Sequence, residues 1–138
     1  MKIFLFVLTG VLALVINNAI SQNLIAVQNG GTTSFYSSLD SAVNNAQNGD
    51  TIYIPGGNYT INDTINKRIH LVGSGIHPDS ANVTSMTLIS GYSQIILDSG
   101  ADNGSVTGIY FLYPMGDGYP NIRLINTVTG YSISRCFI

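Results

Sequence analysis

Apolar and polar positions along this chain change period twice in its first third. From Ser34 to Tyr59 (SFYSSLDSAVNNAQNGDTIYIPGGNY) Leu39 and Val43 lie four apart, Phe35 stands one turn ahead, and Ala42 and Ala46 widen the stripe. This is the apolar face of a short amphipathic helix, with Asp40, Ser41, Asn44 and Gln47 opposite. Ser37 suits its N-cap, Asp40 the turn whose N–H groups are unpaired, and Gly49 a left-handed stop. Three turns are marginal alone, so the helix forms by covering something. Directly after the stop comes Thr51 to Ile54 (TIYI), a β-branched and aromatic strand closed by Pro55, Gly56 and Gly57.

Beyond this unit the period is two. Gln22 to Val27 reads as a first strand broken by Asn29-Gly30-Gly31. Ile61, Ile65, Ile69 and Leu71 face inward, with Arg68 and His70 turned the other way. A polar loop through His77, Pro78, Asp79, Ser80 and Asn82 precedes strands at Met86 to Ile89, Gln94 to Leu97, Val106 to Leu112, Ile122 to Ile125 and Tyr131 to Ile138. Each is short and bounded by turn residues, and no second helical pattern occurs. The class is therefore all-β with one helix.

An internal repeat bears on the architecture. Val106-x-x-Ile109-x-Phe111 matches Ile133-x-x-Cys136-x-Ile138, the spacing expected if like side chains stack in successive coils of a parallel β-helix. An antiparallel sandwich is the alternative, because Asn103-Gly104 between two strands is also a hairpin signal.

Composition adds an address. Lys2, the apolar run Ile3 to Ile16 and the small residues at Ala19-Ile20-Ser21 make residues 1–21 a secretory signal peptide cut before Gln22; a membrane anchor is the alternative, but the run is shorter than the roughly 20 residues of a spanning helix. No stable membrane span is expected after cleavage. About 117 residues remain, enough for one small domain, residues 22–138. The net charge is −2, all seven acidic residues are Asp, and only Lys67, Arg68, Arg123 and Arg135 are basic outside the leader, which excludes a nucleic-acid surface. Cys136 is the only cysteine, so no internal disulfide forms, and its neighbours Phe137 and Ile138 favour a buried thiol.

Candidate chemistry is sparse. Asp98, Asp102 and Asn103 form the most oxygen-rich stretch and could offer ligands to calcium, although the EF-hand spacing is broken at Gly100 and an Asp/Asn/Gly turn uses the same residues. Arg68 and His70, beside Lys67, share a face that could meet an acidic sugar, and Arg123 and Arg135 could extend it; a solvated outer surface is the plainer reading. Tyr110, with Tyr113, Tyr119 and Tyr131, offers aromatic edges that suit sugar rings, or that merely suit strands. No carboxylate pair supports proton transfer. Sequons at Asn58, Asn62, Asn82 and Asn103 are what an Asn- and Thr-rich chain produces by chance.

The order F-x-S-L-x-x-A-x-x-x-A-x-x-G-D-T-I-x-I-x-x-G-x-Y from Phe35 to Tyr59, joined to INKRIHLVG from Ile65 to Gly73, resembles the N-terminal entry of secreted right-handed parallel β-helix proteins of the pectin-lyase-like superfamily. The resemblance implies a helix capping the open end of the solenoid, Asp50 fixing the turn into the first coil, and a tight corner at Gly56-Gly57. It also implies that catalytic groups, calcium-binding aspartates with a basic residue in lyases or clustered aspartates in hydrolases, belong to middle coils. Because Ile138 falls inside an apolar strand pattern, the chain reads as the N-terminal piece of a longer protein. Two functions are expected on this basis. One is a secreted or cell-surface scaffold, non-catalytic or binding extracellular polysaccharide in this segment. The other is a polysaccharide lyase or glycoside hydrolase acting on acidic polysaccharide with its catalytic residues beyond 138.

Overall fold

The computed structural model describes residues 23–76, 85–91, 93–112 and 120–138. The expected leader, the polar loop from His77 to Asn82, and Tyr113 and Tyr119 lie outside the described residues. Among the described residues the protein is mostly β with one helix, and the strands form three sheets.

The first sheet contains β1 (Ile25–Asn29), β2 (Thr32–Tyr36), β3 (Thr51–Ile54), β6 (His70–Gly73), β9 (Ser105–Thr107) and β12 (Ser132–Ser134), in the spatial order β12-β9-β6-β3-β1-β2. The second holds β4 (Gly57–Tyr59), β7 (Thr87–Ser90) and β10 (Ile109–Leu112); the third holds β5 (Thr64–Ile65), β8 (Ile95–Leu97) and β11 (Ile122–Leu124). From β3 onward the chain visits the sheets in fixed rotation, and every pairing from there on is parallel. Among the described strands the antiparallel pairings are those of β1, with β2 on one side and β3 on the other.

Register puts like side chains on top of one another. Val27, Ile52, Leu71, Val106 and Ile133 form one inward column. Tyr59, Ile89 and Phe111 form a second, and Ile65, Leu97 and Leu124 a third. Ile52, Leu71 and Val106 are wholly buried, and each such side chain contributes about 1.5–3 kcal/mol relative to exposure. The repeat read from the sequence appears in this register: Ile133 pairs with Val106, and Phe137 bridges to Tyr110, both 27 residues apart. The strands flanking Asn103-Gly104 belong to different sheets, so the alternative hairpin does not form.

Helix α1 (Leu39–Asn45) buries Leu39, Ala42 and Val43, with Ala46 beyond its end, as the stripe predicts. Other details differ from the expectation. The N-cap is Ser38, whose Oγ accepts from the Ser41 N–H at 3.2 Å. Asp40 does not serve the helix N–H groups but accepts from the N–H groups of Asn62 and Asp63. The helix stops at Ala46 through an extended backbone, while Gly49, at φ 95°, belongs to the turn into β3. The carbonyls left free at that end, those of Asn44 and Ala46, accept from Lys67 Nζ at 2.8 and 2.9 Å, which satisfies orphaned acceptors and places a cation at the negative dipole end. Phe35 is not on the helix at all; it lies on β2, 63% exposed.

The corner between the first and second sheets is the most crowded. Gly108, at φ 69°, splits the expected strand Val106 to Leu112 into β9 and β10, and Gly73 stacks on it so closely that a Cβ at Gly73 would sit 2.3 Å from the Gly108 carbonyl oxygen. Beside this corner the buried Thr87 hydroxyl accepts from the Ser74 N–H at 2.8 Å and faces the carbonyls of Ile54 and Pro55. One hydroxyl thereby satisfies backbone groups of neighbouring layers that burial would otherwise penalise.

Candidate functional site

The broadest outward surface is the outer face of the first sheet, because alternation sends every second residue of six strands to it. One row across the face runs Thr33, Gln28, Thr51, His70, Ser105, Ser132. The next runs Phe35, Ala26, Tyr53, Val72, Thr107, Ser134. The first row is polar throughout. The second begins apolar and ends in hydroxyls.

His70 Nδ1 and Ser105 Oγ are 2.9 Å apart across β6 and β9, and Ser134 Oγ donates to Thr107 Oγ1 at 3.1 Å. A histidine beside a serine invites a nucleophile reading, but activation also asks for a third group to orient the base. Among the described residues no carboxylate bonds His70, and no three His, Cys, Asp or Glu side chains gather. The row presents hydroxyl, amide and imidazole groups that both donate and accept, without a strong field of either sign. At the other edge of the face, Leu24, Ala26, Tyr53, Pro55 and Val72 line a shallow apolar groove of about 260 Å³.

The residues singled out from sequence do not converge. His70 is on the first sheet, with Arg68 exposed just ahead of β6. Tyr110 faces outward from the second sheet, stacked on Phe137 with ring centroids 4.7 Å apart and planes 7° from parallel. Arg123 projects from β11 in the third sheet, in one row with Thr64 and Ile96. Arg135, at φ 50°, sits in the turn after β12. Lys67 is held by the helix carbonyls.

Asp98 and Asp102 lie at the turn between the third and first sheets, and each reaches the following layer. Asp98 Oδ1 accepts from Asn126 Nδ2 and from the Ser99 N–H, both at 2.6 Å. Asp102 Oδ1 accepts from the N–H and hydroxyl of Thr129 at 2.6 and 2.7 Å. These donors hold both carboxyls below the usual carboxylate range, Asn126 chiefly for Asp98 and the Thr129 N–H chiefly for Asp102. Asn103 adopts φ 58°, the left-handed turn conformation its residue type tolerates. The Oδ1 atoms of both carboxylates are thus engaged by donors of the turn and of the segment that follows β11.

Among the described residues the buried hydroxyls of Tyr59 and Tyr131 have no hydrogen-bond partner, and burial raises the pKa of both phenols. Cys136 is a free, half-buried thiol whose Sγ donates to the Ser134 carbonyl at 3.2 Å. Among the described residues no helix is long and apolar enough to cross a membrane.

Sequence reasoning found His70 but missed the row around it. Gln28, Thr51, Ser105 and Ser132 become its neighbours only through long-range register, which no local pattern encodes. Comparison of the chain with protein-family models, with curated proteins and with solved structures returned no match.

Proposed function

We propose that the protein is a secreted or cell-surface scaffold built as a right-handed parallel β-helix of the pectin-lyase-like kind, whose outer faces bind extracellular polysaccharide without catalysis in this segment. The observation that carries the reading is the fixed rotation of the chain through three sheets with in-register parallel stacking. A solenoid is the simplest architecture with that rotation, and right-handedness is the rule for parallel crossovers. Helix α1 would be its N-terminal cap. Support for polysaccharide comes from the polar row through His70 and Ser105, a neutral hydrogen-bonding strip beside the exposed aromatic rings of Tyr53 and Phe35. Such a strip matches the many hydroxyls of a sugar chain better than it matches an anionic polymer. Support for export comes from the leader-like residues 1–21.

The test is a glycan array probed with the purified protein, with titration of any hit against His70→Ala and Tyr53→Ala. The expected result is binding to an uncharged or weakly acidic polysaccharide that both substitutions weaken. Silence across plant, algal and microbial polysaccharides would overturn the binding role.

A further inference from the structure

We infer that two copies of this chain associate through the free edge of β2, forming one continuous antiparallel sheet about a twofold axis at Ser34. Among the described residues strand β2 pairs on one side only, with β1. Its hairpin is closed by the pair Asn29–Thr32 over the two-residue loop Gly30-Gly31. In such a hairpin the closing pair exchanges both hydrogen bonds, and every second pair after it does the same. Thr32, Ser34 and Tyr36 therefore spend their backbone groups on β1. The N–H and C=O groups of Thr33 and Phe35 point away, to the open edge, and no turn or loop of the described residues bonds to them.

This parity makes the edge self-complementary. A second β2 placed antiparallel about Ser34 sets Thr33 opposite Phe35 of the other copy, and Phe35 opposite its Thr33. These are the very residues whose backbone groups are free, so both pairs are of the hydrogen-bonded kind. Their side chains lie on the outer face, opposite Gln28 and Ala26 within the hairpin, so each pairing also sets an aromatic beside a β-branched residue, a favourable cross-strand combination. Phe35, 63% exposed in the single chain, would be shielded along the strand edge while its ring still faces outward.

Sheet edges are normally protected by charge, proline or a bulge. Strand β2 (TTSFY) has no charged residue and no proline, and its register with β1 is unbroken. The opposite edge of the same sheet, β12, runs at once into Arg135. A twofold brings identical residues together, which β2 tolerates because nothing on it repels its own copy. Five residues per strand make a small interface, so the pairing is of the weak, concentration-dependent class.

The experiment is sedimentation equilibrium of the purified protein over a wide concentration range, repeated with Thr33→Pro and with Phe35→Lys. The expected result is a reversible monomer–dimer equilibrium. Thr33→Pro abolishes it while leaving the far-ultraviolet circular dichroism unchanged, since the lost N–H serves only the free edge. Phe35→Lys, which sets a cation on each side of the axis, weakens the dimer most at low salt. If Thr33→Pro fails to fold, Phe35→Lys still decides. A protein monomeric at every concentration, assembly beyond the dimer, or a dimer untouched by Phe35→Lys would overturn the inference.

Discussion

Ile52 and Ile133 occupy equivalent places in one inward column, three parallel pairings apart, yet Ile52 is wholly buried and Ile133 is 47% exposed. Around Ile52 the layer is closed by α1 and the β1–β2 hairpin. Around Ile133 the inward positions Leu124 and Ile138 are exposed as well. The same alternation and pairing thus yield a core in one region and an apolar surface in the other. Inward direction is a property of the strand, whereas burial is a property of what lies on the next layer.

The sharpest way to probe the comparison is to shorten the column at both ends of its range. Leu71→Ala, in the fully covered middle, should cost about 2–5 kcal/mol in urea unfolding, and Ile133→Ala well under half of that; equal losses would break the comparison. Gly73→Ala comes next, at about 1–3 kcal/mol, because its Cβ would meet the Gly108 carbonyl rather than a side chain able to yield. Ser38→Ala, which removes the cap of the covering helix, should cost about 1 kcal/mol, read as a lowered thermal midpoint.

The smallest effect concerns the carboxylates that reach toward the last layer. The folded-state pKa values of Asp98 and Asp102 are depressed, so their contribution is present above the ordinary carboxylate pKa and is lost as pH falls through their lower folded-state values. Stability should therefore decline below about pH 4, and the double variant Asp98→Asn, Asp102→Asn should flatten that decline. An unchanged slope would show that the two carboxylates do not join the layers energetically.

How much of this was legible depends on whether the deciding contact is local. The apolar stripe of α1, the strand TIYI, the inward set Ile61, Ile65, Ile69 and Leu71, and the match of Val106 to Ile133 all arise from spacing along the chain. Strand β2 was not legible. Phe35 lies four before Leu39 and satisfies a helical stripe, while the inward position between Thr33 and Phe35 is a serine, so the strand shows no alternation of polarity. The candidate residues are dispersed for a related reason. Period two says which residues point outward, but not from which of three sheets, so Arg68 with His70, Tyr110 and Arg123 read as one possible surface and lie on three. The polar row beside His70 depends on pairings across 35 residues, where no local signal operates.

The column of Ile52, Leu71, Val106 and Ile133 is held in register although 19, 35 and 27 residues separate its successive members. Stacking therefore fixes the rungs and leaves the length between them free, since lengthening a surface connection costs little closure entropy. In lineages that share this plan, connections should grow and shrink while rung residues keep their places. The same freedom gives an engineer insertion points between rungs where a foreign peptide can be displayed without touching the stack.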